Sequence, residues 1–410
     1  MGEDGRYHIL QTSAYEGSPL FDDTITDLAM IRGLFPVAIR AGKMLSHDEA
    51  ELARWREQLE RLTPFRMADL TQPEMERKGN DLVHRKGIGA GKKVESLKVF
   101  AVGKDAKGQW IRNRYAHLTD KMVYYGLPDP ELATVYPSDV IGLARRGTDL
   151  FNAAVTQVRL HPTADIDPDS HKPANMEGRA DQCMGWCPYA IVLARLGLAE
   201  ELAAELAHSV STWQFYPQGF GHYGPYYVFK PESQNRWLLN HPRDAVARKN
   251  FDFPTWQFRH FDNEAMPIVS CAINEMLLQS HEGAIRVCPA VLPAWHVRFE
   301  LAAQGGFLVS AEYRDGKVLF VAVTSRVGGP CRLVHPWPAE GTAAVVSQGA
   351  AVPVRRAGEI LEWDTRPGNR YIIVPDAGML DRWKVAPVTP PRRQSPSKLK
   401  RAILGRDRLF

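Results

Sequence analysis

The fold is decided by residues 307–322, which read FLVSAEYRDGKVLFVA. Apolar and polar residues alternate on both sides of Asp315-Gly316, a pattern typical of strands that bury one face. Asp-Gly is a frequent centre of the type I′ turn, which joins two antiparallel strands. The stretch therefore predicts a β-hairpin. Further short strands are expected downstream, at Cys331–Val334, Ala343–Val346, Val352–Val354 and Tyr371–Val374.

Upstream of the hairpin the apolar residues follow helical spacing. This spacing predicts two helices within residues 24–64, one at 139–156, one at 188–210 and one from Pro267 to Ser280. Helices come first and antiparallel strands come last, which indicates the α+β class with segregated parts.

Local signals predict how the first helices begin. Thr26 and Asp27 are suited to cap the first helix, and Ser46 with Glu49 has the spacing of a capping box for the second. An additional hairpin is expected from the segments Leu97–Val102 and Trp110–Tyr115.

Composition excludes several classes of protein. The 410 residues are 44% hydrophobic and 24% charged, so the chain is not disordered throughout, and its length suggests at least two domains. No apolar run is long enough for a transmembrane helix, and no secretion signal is expected at the start. Five cysteines, an odd number, do not form a disulfide framework. The compartment is left open.

The net charge of +4 resides in the last residues. Residues 381–410 contain nine Lys or Arg and two Asp, a charge of +7, which leaves −3 for the rest of the chain. Prolines among these charges indicate a disordered tail. The sequence therefore argues against a nucleic-acid partner for the folded part and against a membrane partner.

Residues 274–283 read NEMLLQSHEG, and residues 289–295 read PAVLPAW. Gly305-Gly306-Phe307 follows, and then the YRDGK turn at 313–317. This series resembles the end of the catalytic domain of glycoside hydrolase family 95, the inverting α-L-fucosidases. Members of that family carry EMLLQSH, LPALPxxW and ARGGF in the same order.

Earlier segments resemble the family in the same order. Residues 24–35 resemble its TMD…IRELF helix, residues 135–139 its LYPGN turn, and residues 185–196 its GWS…WARL helix. The resemblance implies an (α/α)6 barrel of helices followed by an antiparallel β-sandwich. Mapped on the chain, the incomplete barrel is 1–285, the sandwich is 286–378 and the tail is 379–410.

The resemblance also implies inversion by two carboxyl groups, one that protonates the leaving oxygen and one that helps to activate water. Glu16 takes the position of the family's acid, although the flanking Pro and Asn of its SPEN motif are absent. The base falls on Glu264 when counted without gaps from Glu275, or on Asp262 if two residues are inserted. A carboxylate directly before a helix is stabilised in its ionised form, which suits a base.

Sugar contacts are expected from further residues of these segments. In the family, an Arg and His motif contacts the sugar, and Arg114 with His117 is a displaced counterpart. Aromatic faces stack on sugars, and the chain is rich in aromatics between residues 211 and 263. The candidate binding residues are Arg114, His117, Trp186, Trp213, His222, His260 and Asn263.

One departure from the family is large. Its members carry a β-domain and the first half of the barrel before the SPEN motif, and nothing similar occurs in this chain. We therefore expect a fragment, one half of a two-chain enzyme whose second chain supplies the missing half, or a decayed relative. The alternative function is that of an inactive carbohydrate-binding or non-enzymatic protein. The expected substrate is an oligosaccharide or glycan, with no cofactor and no metal.

Overall fold

The fold comes from a computed structural model, which describes residues 1–14, 19–85, 87–112, 130–160, 188–213, 265–337 and 343–380. The chain divides into two compact units. The first comprises Met1–Val192 and Ala207–Ile268, and the second comprises Leu193–Leu206 and Val269–Phe410. The domain boundaries expected after residues 285 and 378 stay predictions.

The helices lie in the first two thirds of the chain and the long strands lie in the last third. The α-helices in the described ranges are α1 (Ile25–Met44), α2 (Glu49–Glu60), α3 (Asp149–Arg159), α4 (Tyr189–Arg195), α5 (Ala199–Trp213) and α6 (Ala265–Leu277). Short 3₁₀ turns occupy Gln72–Glu74, Pro130–Thr134, Leu143–Arg145 and Ala377–Met379. This order confirms a mixed fold of helices and antiparallel strands.

The two helices predicted within residues 24–64 are confirmed as α1 and α2, but their caps differ. Thr24 caps α1, because its hydroxyl accepts a hydrogen bond from the backbone N–H of Asp27. Asp48 caps α2, and its carboxylate accepts from the N–H of Ala50 at 2.9 Å. The capping box predicted at Ser46 is wrong, since α1 continues to Met44 and Ser46 has a positive φ in the following turn.

Glycines and caps shift the other helix boundaries. The helix predicted at 139–156 begins only after Thr148, because Gly147 has a φ of +85° and the Thr148 hydroxyl caps the first turn. The helix predicted at 188–210 is split into α4 and α5 by Gly197, whose φ is +70°. The helix predicted to reach Ser280 ends at Leu277, since Leu278–Gln279 pairs as a strand with Arg286–Val287.

Short strand pairs complete the first unit. They are β1 (Thr12–Ser13) with β2 (Leu20–Phe21), β3 (Met67–Asp69) with β6 (Lys98–Phe100), β4 (Met75–Lys78) with β5 (Asp81–His84), and β7 (Gly103–Lys104) with β8 (Trp110–Ile111). The hairpin predicted from 97–102 and 110–115 is therefore shifted in its first strand, because Lys98–Phe100 pairs with β3 and Gly103–Lys104 pairs with β8. Asp105 accepts hydrogen bonds from the N–H groups of Lys107 and Gln109 in the turn, and the N–H of Val102 donates to the carbonyl oxygen of Ile111. Residues 113–115 lie outside the described residues.

The second unit contains three antiparallel sheets among its described residues. β9 (Leu278–Gln279) pairs with β10 (Arg286–Val287). The strands of the larger sheets are β11 (Val297–Ala303), β12 (Phe307–Arg314), β13 (Lys317–Ser325), β14 (Gly329–Val334), β15 (Ala344–Ser347), β16 (Ala350–Ala351), β17 (Arg355–Ala357), β18 (Ile360–Thr365) and β19 (Arg370–Val374). The six-stranded sheet has the order β11-β12-β13-β19-β15-β16, and the three-stranded sheet has the order β14-β18-β17.

The predicted hairpin is confirmed as β12 and β13. Asp315 and Gly316 both have a positive φ, as the type I′ turn requires. Phe307, Val309 and Ala311 are buried, so β12 alternates as the sequence predicts. In β13 the run from residue 320 to 323 is buried on both faces, and on one of them Phe320 and Ala322 form a cluster with Val374 that is covered by Met379 and Leu380.

Side chains connect the two larger sheets. The hydroxyl of Thr365 on β18 donates to that of Ser325 on β13 at 2.9 Å, and the rings of Trp363 and Tyr371 lie 6.3 Å apart. The strand predicted at Val352–Val354 is wrong. Pro353 lacks a backbone N–H, and the paired residues lie on either side of it in β16 and β17.

Two motif segments of the first unit pack backbone against backbone. Gly33 lies in the middle of α1, and a Cβ at this position would overlap the carbonyl oxygen of Ser138 in the YPS turn. The guanidinium of Arg32, the preceding residue, donates to the carbonyl oxygens of Leu62 and Thr63. A residue without a side chain is therefore required where α1 passes this turn.

Three cysteines fall within the described ranges, and all are free thiols. Cys271 is exposed on α6. Burial raises the pKa of the Cys288 and Cys331 thiols to about 12, so both are protonated at neutral pH. Cys331 is fully buried, whereas Cys288 is partly exposed.

Candidate functional site

Most of the residues predicted to act on a sugar lie outside the described residues. These are Glu16, Arg114, His117, Trp186, His222, His260, Asp262, Asn263 and Glu264. Trp213 is the last residue of α5, and only its backbone is described. The proposed roles of all these residues stay predictions, and the described site consists of the segments that flank them.

The segment that carries Glu16 is anchored on both sides. Residues 15–18 lie between β1 and β2 in the chain. These two strands pair, with Ser13 opposite Leu20. Ala14 is buried, and its carbonyl oxygen accepts a hydrogen bond from the Thr26 hydroxyl in the first turn of α1 at 2.9 Å. The first turn of α1 therefore holds Ala14, the last described residue before the candidate acid.

A histidine between two carboxylates fixes the chain before β1. His8 Nδ1 lies 2.7 Å from Asp23 Oδ2, and His8 Nε2 lies 3.1 Å from Asp4 Oδ1. The hydrogen bond to Asp23 is the main cause of a raised pKa for His8. Asp23 is buried and also accepts from the backbone N–H of Ile9, so it joins the N-terminal segment to the residues that precede α1.

The candidate bases directly precede a helix in the chain. Glu264 is followed by Ala265, the first residue of α6, and Asp262 lies two residues earlier. A 13-residue helix presents unpaired backbone N–H groups and the positive end of its dipole at this terminus. An ionised carboxylate is favoured at such a terminus, and the assignment of Glu264 or Asp262 as the base stays a prediction.

The polar residues of the NEMLLQSH stretch form a network in the second unit. Arg195 Nη2 donates to Glu275 Oε1 at 3.0 Å, and His281 Nδ1 lies 3.9 Å from Glu275 Oε2. Gln279 Nε2 donates to the carbonyl oxygens of Ala194 and Glu275 at 2.9 and 3.0 Å. Arg195, Gln279 and His281 have buried side chains. The network holds the end of α4 to α6 and β9, so these residues have a structural role.

A second polar cluster lies in the first unit, at the strand that leads into residue 113. Arg112 donates to both carboxylate oxygens of Glu74, at 2.8 and 3.0 Å. Burial opposes ionisation of Glu74, but this ion pair and the hydrogen bonds from Thr71 leave its pKa lowered. A two-point Arg–carboxylate contact has a fixed orientation, and here it fixes the end of β8.

His84 is fully buried on β5 beside this cluster, and neither of its ring nitrogens has a hydrogen-bond partner among the described residues. Burial, assisted by the charge of Arg159, lowers its pKa to about 4. The folded chain therefore keeps His84 neutral at pH values at which the unfolded chain already binds a proton.

We expect acid to destabilise the fold through His84. Between the unfolded pKa of about 6.5 and the folded value of about 4, only the unfolded state gains the proton, so the free energy of unfolding falls by about 3 kcal/mol in total as the pH is lowered. Urea unfolding at pH 7 and pH 4 should show this loss in the native chain and lack it in His84→Phe. The control is His47→Phe, at an exposed histidine, which should keep the loss of the native chain. An equal loss of unfolding free energy in His84→Phe and the native chain would contradict the prediction.

Sequence reasoning missed the buried His84 and the pairing of His8 with Asp23, since neither belongs to a spaced motif. Among the described residues no three His, Cys, Asp or Glu side chains are grouped to hold a metal ion. Cys183 and Cys187, two thiols only four positions apart in the sequence, lie outside the described residues. No helix in the described part of the chain is long and apolar enough to cross a membrane.

The network around Glu275 belongs to the stretch in which the resemblance to a known family is most specific. Residues 279–373 match the model of the glycoside hydrolase family 95 C-terminal domain. The resemblance inferred from the sequence is thereby confirmed for this stretch. The family 95 match begins at Gln279 in β9 and ends in β19, so it includes both larger sheets. The relationship is to glycoside hydrolases, whose substrates are glycans.

No curated protein matches the chain. Among solved structures, a family 39 glycoside hydrolase from the gut symbiont Bacteroides cellulosilyticus WH2 is 17% identical, with a TM-score of 0.17. AmyP in complex with maltotriose is 8% identical, with a TM-score of 0.16. Each match covers 30% of this chain and only 24% of the solved chain. Scores this low do not establish a shared fold.

Proposed function

We propose that the chain belongs to a glycoside hydrolase that removes a terminal α-L-fucose or a related sugar by metal-free inversion. The observation that carries the proposal is the family 95 match over residues 279–373. The network of Arg195, Glu275 and Gln279 supports it, because it organises the NEMLLQSH stretch that directly precedes and enters the matched region.

In this mechanism Glu16 is the acid. Its carboxyl proton passes to the glycosidic oxygen as the bond from that oxygen to the anomeric carbon breaks. Glu264 or Asp262 accepts a proton from water, whose oxygen attacks the anomeric carbon from the opposite face and inverts its configuration. The tether from Ala14 to Thr26 supports a fixed acid, and the helix start after Glu264 supports an ionised base.

We further propose that Arg114, His117, Trp186, Trp213, His222, His260 and Asn263 line the sugar site. Arginine and histidine donate hydrogen bonds to hydroxyl groups, and tryptophan rings stack on the apolar face of a sugar. The bidentate contact between Arg112 and Glu74 supports this, because it fixes the chain just before Arg114.

The finer architecture is also part of the proposal. Helices α1 to α6 would belong to an (α/α)6 barrel, with the missing helices supplied by a second chain, and the sheets joined through Ser325 and Thr365 would form a β-sandwich. A barrel completed in this way would enclose a sugar-sized cleft between helices.

The experiment that tests the function is hydrolysis of an aryl α-L-fucoside by the chain with and without any partner chain encoded upstream, followed by NMR of the sugar released. We expect turnover with the β-anomer as the first product, because inversion converts an α-linkage to a β-sugar. If no turnover is seen, calorimetric titration with fucose shows whether the chain still binds the sugar. Binding without turnover would indicate the inactive carbohydrate-binding alternative, and neither binding nor turnover would contradict the proposal.

A further inference from the structure

Helix α1 is apolar on two opposite faces. Ile25, Leu28 and Ile39 are buried and belong to the core of the first unit. Met30 precedes Ile39 by nine residues, about two and a half helical turns, so the two lie on opposite sides of the helix. A helix that is apolar all round is normally buried all round, whereas the Met30 side of α1 is open.

The open side is a continuous stripe, which we call the α1 stripe. Met30 is 38% exposed, Leu34 60%, Val37 50% and Met44 86%, and Ala41 is exposed between the last two. Successive members are separated by four, three, four and three residues. This is the spacing of a coiled-coil seam, in which the apolar residues of one helix insert between those of another. The surface therefore fits a second helix.

Charge along α1 indicates which helix fits. Asp27 lies in the first turn, Arg40 and Lys43 lie towards the end, and residues 28–44 contain no acidic side chain. A second α1 in antiparallel orientation brings the acidic start of each copy towards the basic end of the other, and it also opposes the two helix dipoles. A parallel pair would instead place the basic ends side by side.

The spacing is nearly symmetric about Val37. Met30 and Met44 lie seven residues on either side of it, and Leu34 and Ala41 lie three and four residues away. A two-fold axis at Val37 therefore places Met30 of one copy opposite Met44 of the other, so the same stripe complements itself.

We propose that two copies of this chain pair through the α1 stripe, antiparallel, with Val37 at the two-fold axis. The pairing does not depend on the proposed glycosidase chemistry. One pair of helices buries less area than the roughly 1,200–2,000 Å² of a stable interface, so the dimer is weak and forms at micromolar concentration.

Disulfide trapping tests the geometry. In a chain with Cys183, Cys187 and Cys271 replaced by serine, Val37→Cys should oxidise to a linked dimer. Met30→Cys alone should not link to itself, but a mixture of Met30→Cys and Met44→Cys chains should give the mixed dimer. Ala53→Cys, exposed on α2, measures random collision. Linking of Val37→Cys no faster than Ala53→Cys would overturn the proposal.

Sedimentation of the native sequence tests the association itself. We expect a concentration-dependent mixture of monomer and dimer, and at least a tenfold weaker association in Met30→Glu and in Val37→Glu, because the new carboxylates would face Met44 and Val37 of the other copy. A chain that stays monomeric at about 100 μM overturns the proposal, since a micromolar dimer would be mostly formed there. A dimer that both glutamate variants leave unchanged overturns it as well. A monomeric chain that binds a helix of another protein through the α1 stripe would likewise overturn the proposal.

Discussion

Glu16→Gln is expected to lower kcat/KM for hydrolysis of a fucosyl disaccharide at least about a hundredfold, because the sugar leaving group departs only when its oxygen receives a proton. A glutamine has nearly the same shape but carries no transferable proton. The loss should be much smaller for a dinitrophenyl fucoside, whose phenolate leaves without protonation. The two rates, measured for native and variant chains, therefore separate an acid from a residue that only supports the fold.

The controls follow from the positions of the other carboxylates. Glu3→Gln, exposed near the N-terminus, should leave both rates unchanged. Glu264→Gln and Asp262→Asn identify the base, because the variant that lacks the water-activating carboxylate should have equally lowered turnover of both substrates. A Glu16→Gln chain that hydrolyses the disaccharide at the native rate would remove Glu16 from the mechanism.

Gly33→Ala is expected to lower the free energy of unfolding by about 4 kcal/mol. In an exposed helix this exchange normally stabilises by about 1 kcal/mol, because alanine loses less backbone entropy than glycine. Here the new methyl group would overlap the carbonyl oxygen of Ser138, and a backbone atom cannot rotate away as a side chain can. The expected sign is therefore reversed, and urea denaturation measures it.

Gly42→Ala is the matched control in the same helix. Its methyl group would meet Leu52 Cδ2 at 2.5 Å, but this is the free end of a flexible side chain. We expect a change within about 1 kcal/mol, because rotation of Leu52 offsets the helix preference of alanine. Equal effects at Gly33 and Gly42 would show that α1 moves away from the YPS turn at little cost.

Period-two alternation and the Asp-Gly turn were sufficient to predict β12 and β13, because local backbone preference and the burial of one face agree there. The predicted helices were wrong mainly at their ends. Gly147 and Gly197 adopt a positive φ and terminate helices that apolar spacing alone would extend. Thr24 caps α1 and Asp48 caps α2 at the points where tertiary packing sets the direction of the chain. A spaced motif such as Ser46 with Glu49 carries no information about that packing.

The candidate site was less predictable from sequence for a different reason. Polar pairs such as His8 with Asp23 and Glu74 with Arg112 are separated by 15 and 38 residues, so no local pattern connects them. Their partners are chosen by the fold. The acid and base roles came from the family resemblance, and they stay predictions because Glu16, Asp262 and Glu264 lie outside the described residues.

The Cys331 thiol provides a built-in probe of local opening. Cys331 is fully buried on β14, whereas Cys288, just after β10, is partly exposed, and burial raises the pKa of both thiols to about 12. Modification of Cys331 by an alkylating reagent therefore requires the surrounding sheet to open first, so its rate reports how often β14 opens. The partly exposed Cys288 in the same chain serves as the reference, and a much slower rate at Cys331 would show that β14 opens rarely.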